Sequence, residues 1–293
     1  MVGGIPRFVE SQLYAGNFGF EWTVHRRTQL DDTSSNTSEQ AFAQKTGLTP
    51  EDVRGQLVLD AGCGMGRFAD VSSRWGATVV GIDLSVAIES AQANLANRPG
   101  VHFAQASILE PPFAPATFDV IYSIGVLHHT PDTRQAFDRL VPLLKPGGRI
   151  AIWLYSAYNE SAYRDSDRWR RLTTRLSNRA LYRLCRVAVP AYHLYRLPFL
   201  GPFLCEHLPI SMDPRPEWRV LDTFDWYSPR YQWKHTYEEV FPWFEEAGLT
   251  DVRVQGAPVA VSGRKLPASA ANTPRRARSR PPARPGTEAR RRR

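Results

Sequence analysis

The chain has 293 residues, of which 42% are hydrophobic and 23% charged, and a formal net charge of +8. These proportions are typical of a globular protein and exclude a wholly disordered, collagen-like or fibrous chain. Three cysteines, Cys63, Cys185 and Cys205, are too few for a disulfide scaffold and favour a reducing compartment. The sequence shows neither a signal-peptide pattern nor a run of about 18 apolar residues. We therefore expect a cytoplasmic protein.

The positive charge is concentrated in two segments. Residues 264–293 hold eleven Lys or Arg and one acid, and residues 161–208 hold nine Arg and three acids. The rest of the chain is acidic in sum. A basic chain invites a nucleic-acid interpretation, but the C-terminal segment has no interleaved aromatic residues on which bases could stack. We therefore do not expect a nucleic-acid partner.

The first 50 residues are polar and irregular, apart from an aromatic cluster around Tyr14 and Trp22 and a short helix predicted over 38–48. From residue 56 the pattern alternates between strands and helices. The predicted strands are 56–62, 77–85, 101–107, 118–129 and 149–156, and the predicted helices are 66–76, 86–100 and 131–148. Such alternation predicts βαβ units, a parallel sheet and helices on both of its faces.

The alternation stops over 156–235, an aromatic and basic segment that we interpret as a helical lid inserted into an α/β fold. A helix ending at Gly248 and two strands joined at Gly256–Pro258 then resume the pattern. The predicted organisation is an N-terminal arm and lid (1–50), a cofactor-binding core (51–155), the helical insertion (156–235), a final helix and strand hairpin (236–265) and a disordered basic tail (266–293).

The most informative motif is DAGCGMG at 60–66, between a predicted strand and a predicted helix. Its glycines allow the backbone to approach a ligand closely, and the helix that follows presents free N–H groups to that ligand. Asp83 ends the second strand, where a carboxylate can accept hydrogen bonds from two ribose hydroxyls. A glycine turn alone also occurs without a ligand, but the strand, the helix and Asp83 together predict a nucleotide-like cofactor.

Asp60 bears on which cofactor this is. A dinucleotide fingerprint has the spacing G-x-G-x-x-G, whereas the run here begins with an acid inside the strand. The Asp60 carboxylate would repel a pyrophosphate and suits a ligand with an ammonium or sulfonium group. The pattern therefore favours S-adenosylmethionine over a nicotinamide dinucleotide.

Together, residues 60–68, 81–85 and 118–155 resemble the class I S-adenosylmethionine-dependent methyltransferases, with a weaker resemblance over 236–263. The sequence is most similar to the small-molecule branch that includes ubiquinone- and menaquinone-type enzymes. The resemblance implies a Rossmann-like, seven-stranded, mostly parallel sheet whose antiparallel seventh strand the Gly256–Pro258 hairpin would supply. It also implies methyl transfer to an oxygen or nitrogen of a small molecule, of lipid-linked, sugar or natural-product type, without specifying which.

The resemblance further implies which residues bind S-adenosylmethionine. Asp60 and the glycines would line its methionine part, Asp83 its ribose and Leu84 its adenine. Ser107 stands where the family usually has an acid that recognises the adenine, so recognition there would fall to the backbone. The predicted cofactor-binding residues are Asp60, Ala61, Gly62, Cys63, Gly64, Gly66, Asp83, Leu84, Ala106, Ser107, Ile108, Ser123, Ile124 and Gly125. No metal site is expected.

The methyl acceptor should bind beyond the carboxyl ends of the strands, where His128 and His129 follow the fourth strand. Either histidine is a candidate general base; alternatively, both merely precede a helix that begins near Thr130. The aromatic residues nearby either line the acceptor pocket or anchor the arm and the insertion. The predicted substrate-binding residues are Tyr14, Trp22, Trp226, Tyr227 and Tyr231.

Two interpretations of 169–208 stay open, because Arg183, Arg186 and Arg196 interrupt its apolar residues. The segment either contacts the inner membrane face peripherally or forms a lid with solvated arginines. Two functions other than a small-molecule enzyme also stay open. One is an RNA-binding or RNA-modifying methyltransferase that uses the basic segments, and the other is an S-adenosylmethionine-binding protein without catalysis. The oligomeric state does not follow from the sequence.

Overall fold

The computed structural model describes residues 1–32, 35–158 and 160–267, with side chains described outside 160–166. The predicted basic tail lies outside the described residues from position 268 on.

Seven strands form one sheet, in the order β3-β2-β1-β4-β5-β7-β6. The strands are β1 (Leu57–Ala61), β2 (Thr78–Asp83), β3 (Val101–Gln105), β4 (Phe118–Ile124), β5 (Leu144–Trp153), β6 (Leu249–Val254) and β7 (Ala260–Lys265). Neighbours among β1 to β5 are parallel, and β7 runs antiparallel to both β5 and β6. The predicted α/β class, the seven-stranded mostly parallel sheet and the antiparallel hairpin are all confirmed.

Helices cover both faces of this sheet and build the two segments outside it. They are α1 (Gly16–Val24), α2 (Thr37–Thr46), α3 (Pro50–Val53), α4 (Arg67–Arg74), α5 (Ala87–Asn94), α6 (Thr133–Leu140), α7 (Glu160–Thr173), α8 (Asn178–Cys185), α9 (Ala188–Ala191), α10 (Leu200–His207), α11 (Pro216–Tyr227) and α12 (Tyr237–Glu246). Among the described residues, no helix is long and apolar enough to cross a lipid bilayer.

Two apolar clusters enclose the sheet. On one face, Phe137 of α6 and Phe244 of α12 are fully buried against the strands. On the other face, Phe42 of α2 and Ile88 of α5 are equally buried. Strands covered on both faces need apolar residues at nearly every position, which explains the unbroken apolar runs in the sequence. The packed sheet thereby fixes the positions of the loops at its carboxyl edge.

Helix α1 was not predicted, and the expectation of an irregular arm is wrong over Gly16–Val24. Two of its nine residues, Gly16 and Gly19, have low helix propensity, and its hydrophobic residues do not form a single stripe. Phe20 packs against Phe224 of α11, while Trp22 contacts the glycine turn on another side of the helix. Tertiary contacts on several sides therefore stabilise a helix that the sequence pattern does not predict.

The fourth strand is shorter than predicted. It ends at Ile124, because Gly125 adopts a φ of +77° that a strand cannot continue through. Residues Leu127–His129 then form a 3₁₀ turn rather than the end of the strand. Both histidines therefore lie on a turn at the carboxyl edge of the sheet.

The segment 169–208 contains several short helices rather than one long amphipathic helix. Pro198, which lacks a backbone donor, separates the 3₁₀ turn Leu194–Arg196 from α10, whereas Pro190 lies inside the four-residue α9. Leu181 and Cys185 of α8 pack with Phe224 of α11 in a small third core. The insertion thus has apolar packing of its own, and α11 carries it back over the sheet edge.

Candidate functional site

A cavity of about 400 Å³ opens at the carboxyl ends of β1, β2, β4 and β5, under α1 and α11. Its volume lies in the range of small-molecule sites. The wall combines the glycine turn with aromatic and charged side chains. It is lined by Tyr14, Ala15, Phe18, Glu21, Trp22, Gln29, Lys45, Gly62, Cys63, Gly64, Met65, Arg67, Phe68, Asp83, Leu84, Ile108, Ile124, Gly125, Val126, His129, Thr130, Trp153, Tyr155, Trp218, Leu221, Asp222 and Asp225.

The turn between β1 and α4 requires glycine at two positions that line the cavity. Gly62 has a φ of +88°, and a Cβ there would lie 2.3 Å from a methyl group of Val126. Gly64 has a φ of +53°, and a Cβ there would lie 3.2 Å from Nε1 of Trp22. Side chains are disfavoured in this backbone region, and at Gly62 there is also no space for one. The turn therefore presents bare backbone to the cavity.

Asp83 lies at the end of β2 with its carboxylate fixed by three donors. Its Oδ2 accepts a hydrogen bond from the Gly64 N–H at 2.9 Å. Its Oδ1 accepts from the backbone N–H of Ser85 at 2.8 Å and from its hydroxyl at 2.7 Å. A carboxylate oxygen can accept more than one hydrogen bond, so capacity remains on the side that faces the cavity. The contact also ties the end of β2 to the glycine turn.

Asp60 is only 2% exposed, and its Oδ2 has no hydrogen-bond partner among the described residues. Burial, together with the charge of Asp83, raises the pKa of Asp60 to about 8. Tyr122 and the backbone of Ala69 hydrogen-bond to the carboxyl group and offset part of this shift. Asp60 does not itself line the cavity. A buried carboxylate oxygen without a partner is energetically unfavourable. A ligand with an ammonium group bound near the glycine turn would offset that cost.

We expect Asp60→Asn to reduce the pH dependence of folding stability. The pKa of Asp60 is about 8 in the folded protein and about 3.9 in an unfolded chain. This group therefore favours folding fully below pH ~4 and loses that contribution as the pH rises towards 8, by at most about 1.4 kcal/mol per pH unit. Urea denaturation of the cofactor-free protein measures the free energy of unfolding. Between pH 5.5 and 7.5 this free energy should fall less in the variant than in the wild type. Parallel declines would contradict the assignment.

The other predicted cofactor-binding residues divide into two sets. Cys63, Leu84, Ile108, Ile124 and Gly125 line the cavity, whereas Ala61, Gly66, Ala106, Ser107 and Ser123 lie outside its wall. The second set has structural contacts instead. For example, the Ser123 hydroxyl donates to the Ala61 carbonyl at 2.8 Å, and the Ser107 hydroxyl accepts from the Leu109 N–H at 3.2 Å.

The two histidines differ in environment. His129 lines the cavity, and its Nδ1 lies 2.9 Å from the Tyr231 carbonyl oxygen, which requires Nδ1 to carry the proton and donate. Burial lowers the pKa of His129 to about 4. At neutral pH its Nε2 is therefore an unprotonated acceptor, with no partner among the described residues.

His128 lies behind His129, with ring centres 4.2 Å apart, and is fully buried outside the cavity wall. Neither of its ring nitrogens has a hydrogen-bond partner among the described residues. Burial first, and then the charge of His129, holds its pKa well below 6.5. His128 is thus neutral and packed against Tyr155.

Of the predicted acceptor-binding residues, Tyr14 and Trp22 line the cavity. Tyr231 lies behind Tyr14 in an edge-to-face contact at 5.6 Å. The Tyr227 hydroxyl donates to the Pro209 carbonyl at 2.7 Å, and Trp226 packs against the small third core. These three residues support the wall from behind rather than forming it.

Several charged residues of the cavity wall were absent from the predicted site. They are Glu21, Lys45, Arg67 and Asp222, and they are joined in the wall by Asp225, which adjoins the predicted Trp226. Burial lowers the pKa of Lys45 to about 7 and raises that of Asp225 to about 6. The Lys45 ammonium lies 3.5 Å from the centre of the Trp153 ring, a cation–π contact. A sequence signal was available only for Arg67, directly after the glycine motif. The others come from segments that only the tertiary structure brings together.

In the described part of the chain, no group of three or more His, Cys, Asp or Glu side chains is arranged to hold a metal ion. The cavity wall carries four acidic side chains, Glu21, Asp83, Asp222 and Asp225, and two basic ones, Lys45 and Arg67.

Comparison with known proteins agrees with this architecture. Residues 59–152 match a protein family described as a methyltransferase domain. The chain is 36% identical to ubiquinone biosynthesis O-methyltransferase of Paracidovorax citrulli over 120 residues, which cover 40% of this chain and 48% of that protein. It is 35% identical to O-methyltransferase resE of Aspergillus sclerotiorum over 137 residues, 44% of this chain and 52% of that protein.

A solved S-adenosylmethionine-dependent methyltransferase from Mesorhizobium loti is similar at 17% identity and a TM-score of 0.47, covering 78% of this chain and 99% of that one. The matched segments span about half the length of the curated relatives. The segment that matches the family, 59–152, begins within β1 and ends within β5, and it contains the glycine turn, Asp83 and both histidines. The family match and the seven-stranded sheet with its antiparallel β7 lead to one conclusion: residues 59–152 belong to a class I S-adenosylmethionine-dependent methyltransferase domain.

Proposed function

We propose that this protein transfers the methyl group of S-adenosylmethionine to an oxygen atom of a small organic molecule. The observation that carries the proposal is one cavity whose wall joins Gly62, Gly64 and Asp83 with Tyr14 and His129. A donor and an acceptor bound there would meet in one enclosed space. The O-methyltransferase names of the two curated relatives support oxygen as the acceptor atom.

The cofactor end of the cavity lies over β1 and β2. Here Asp83 would accept hydrogen bonds from the ribose hydroxyls, because its oxygens are fixed by Gly64 and Ser85 yet keep free lone pairs. The unpartnered Oδ2 of Asp60, buried beside the glycine turn and outside the cavity wall, would favour the positive charge of the methionine amino group electrostatically rather than by contact. The bound cofactor supplies an electrophilic methyl on a sulfonium ion. The aromatic ring of Trp22, beside Gly64, is positioned to favour that cation.

The acceptor end lies over β4 and β5. There the Nε2 of His129 would accept a hydrogen bond, and then the proton, from the attacking hydroxyl group. The Tyr231 carbonyl fixes the tautomer that leaves Nε2 free. Alignment of the acceptor oxygen, the methyl group and the sulfur contributes the rest of the rate enhancement. It does so because a reaction between two separate molecules becomes a reaction within a single complex.

A thermal-shift titration tests the proposal directly. S-adenosylmethionine and S-adenosylhomocysteine should each raise the melting temperature, whereas NAD should not, because only a ligand of the native state stabilises it. At a concentration 100 times its Kd, a ligand adds about 2.7 kcal/mol. Stabilisation by NAD alone would eliminate the proposal.

An acceptor screen that follows S-adenosylhomocysteine release then identifies the acceptor atom. Phenols and alcohols should support release, with the new methyl group on oxygen in the product. If methylated amines are the only products, the acceptor atom is nitrogen and the proposal of an oxygen acceptor is wrong. Cofactor binding with no release for any acceptor would favour a binding protein without catalysis.

We also propose that the region 194–208 contacts a membrane surface peripherally. It exposes a group of large apolar side chains: Leu194, Leu197, Phe199, Leu200, Phe203 and Leu208. Phe199 is 94% exposed, which is unusual for such a side chain in a protein of this size. Arginines of the neighbouring helices provide the positive charge that favours an anionic surface.

Changing Phe199 and Phe203 together to serine should lower the affinity for anionic phosphatidylglycerol vesicles by about tenfold. The two rings would no longer bury apolar surface in the membrane, and a loss of about 1.4 kcal/mol of binding free energy corresponds to that factor. Co-sedimentation measures this effect. Phe8→Ser, which removes an exposed ring outside the group, is the matched control. Equal pelleting of the double variant and the wild type would contradict the membrane contact.

A further inference from the structure

One buried carboxylate of the cavity wall has no partner. Glu21 on α1 is 1% exposed and lines the cavity, yet neither of its carboxylate oxygens has a hydrogen-bond partner among the described residues. Burial of an unpaired carboxylate is costly, and native structures rarely tolerate it without a ligand or a catalytic reason. Glu21 is therefore a candidate group for binding a ligand.

The two acids nearest to Glu21 do have partners. Asp225 accepts a hydrogen bond from the Tyr155 hydroxyl at 2.6 Å, and Asp222 accepts one from Ser211 at 3.0 Å. Their charges act on Glu21: burial first, and then Asp225 and Asp222, raise its pKa well above the usual value. Neither acid can satisfy Glu21, because a carboxylate offers no donor unless it is protonated.

Among the side chains that line this part of the cavity, the formal charges leave an excess of one negative charge; Arg170, which acts on Asp225 from outside the wall, is shared with Asp167. Three acids, Glu21, Asp222 and Asp225, face two basic groups, Lys45 and Arg67. Arg67 is already engaged, because its guanidinium donates to Ser38 at 2.9 Å and to Gln29 at 3.0 Å. One added cation would balance the set.

Glu21 lies at the acceptor end rather than at the cofactor end. Its electrostatic neighbour Asp225 is bonded to Tyr155, which follows β5, whereas Asp83 ends β2. In the strand order β2-β1-β4-β5, β2 and β5 are separated by three inter-strand spacings. At ~4.8 Å per spacing, this distance is about 14 Å. A group held by Glu21 would therefore belong to the acceptor.

We propose that the methyl acceptor carries a protonated amine, which Glu21 binds with Asp225 as the second carboxylate at the β5 end of the cavity. This proposal rests on the methyltransferase function proposed above. The aromatic rings of Phe18, Trp22 and Tyr155 share the wall with Glu21 and would further favour a cation over a neutral group. The amine identifies the acceptor class, and the hydroxyl group near His129 remains the site of methylation.

The test compares phenols in matched sets whose tails differ only in charge. The first set is tyramine, 4-propylphenol and 3-(4-hydroxyphenyl)propanoate, and further sets vary the ring substituents. Ligand-observed NMR on the full chain saturated with S-adenosylhomocysteine gives each Kd. We expect the amines to bind at least about tenfold more tightly than their neutral partners, a difference of about 1.4 kcal/mol, and the acids to bind most weakly.

Glu21→Gln should reduce the preference for the amine to about threefold or less, because an amide keeps the size of the side chain but removes its charge. Glu206→Gln, which removes an exposed acid on α10, should keep the full preference. The melting temperature of each variant establishes that it is folded.

Three outcomes would overturn the proposal: neutral or acidic phenols that bind as tightly as the amines, no binding of any amine, or a preference that survives Glu21→Gln. Loss of S-adenosylhomocysteine affinity in Glu21→Gln with the preference intact would also overturn it, because Glu21 would then serve the cofactor. Failure of the wild type to bind S-adenosylhomocysteine counts instead against the methyltransferase function, so the two failures are distinguishable.

Discussion

Replacement of Asp83 with alanine should weaken S-adenosylmethionine binding by about 100-fold or more. Hydrogen bonds to a charged group contribute about 1.5–3 kcal/mol each, and two of them, to the two ribose hydroxyls, account for at least two factors of ten. The carboxylate is prepared for this role, because Gly64 and Ser85 fix both of its oxygens before the ligand arrives. Isothermal titration with S-adenosylhomocysteine measures the loss.

The alanine variant also removes the acceptor of the Gly64 and Ser85 donors, so the local turn needs a control. Ser85→Ala removes only the hydroxyl that supports Asp83 Oδ1 and should lower affinity less than tenfold. Asp83→Asn keeps the shape of the side chain but weakens its acceptor strength, and should lie between the two. Unchanged affinity in Asp83→Ala would show that the ribose is bound elsewhere.

The residues proposed to bind the cofactor could be identified from the sequence because their determinants are local. The glycine turn, Asp83 and Leu84 lie on two consecutive strand–loop units, and the backbone itself requires the glycines. The hairpin at Gly256–Pro258 was equally evident, because two short strands flank a glycine and a proline. Fold and cofactor follow from such short-range patterns.

Part of the predicted cofactor set lies outside the wall because of a contact that the sequence does not reveal. The N-terminal chain pairs with the end of β3: the Phe8 N–H donates to the Gln105 carbonyl, and the Gln105 N–H donates to the Pro6 carbonyl, both at 2.9 Å. This addition covers β3 just before Ala106 and Ser107. Only Ile108 of that loop reaches the cavity.

Most of the charged residues of the acceptor end could not be predicted, because they come from distant segments. Glu21 comes from a helix with two glycines, Lys45 from the end of α2, and Asp222 and Asp225 from α11 in the insertion. None of these segments carries a motif, and each is placed by packing against the sheet or the small third core. Tertiary contact overrides weak local preference at all of these positions.

Replacement of His129 with asparagine should lower kcat by about 100-fold, the smaller end of the range for general-base catalysis. The amide nitrogen of asparagine can still donate to the Tyr231 carbonyl in place of Nδ1, so the turn keeps its hydrogen bond. What disappears is the free Nε2 acceptor. Affinity for S-adenosylhomocysteine should not change, because the cofactor end is untouched. His102→Asn, on an exposed histidine of β3, is the matched control.

The pH profile separates a base at His129 from alignment alone. Because burial lowers its pKa to about 4, the base form of His129 is fully present from pH 6 to 8 and is lost only as the pH falls through about 4. The wild-type kcat should therefore show no histidine inflection near pH 6.5, the unperturbed value. An inflection there that vanishes in His129→Asn would contradict this environment. Retention of kcat within about threefold in the variant would show that alignment of the methyl group suffices without a base.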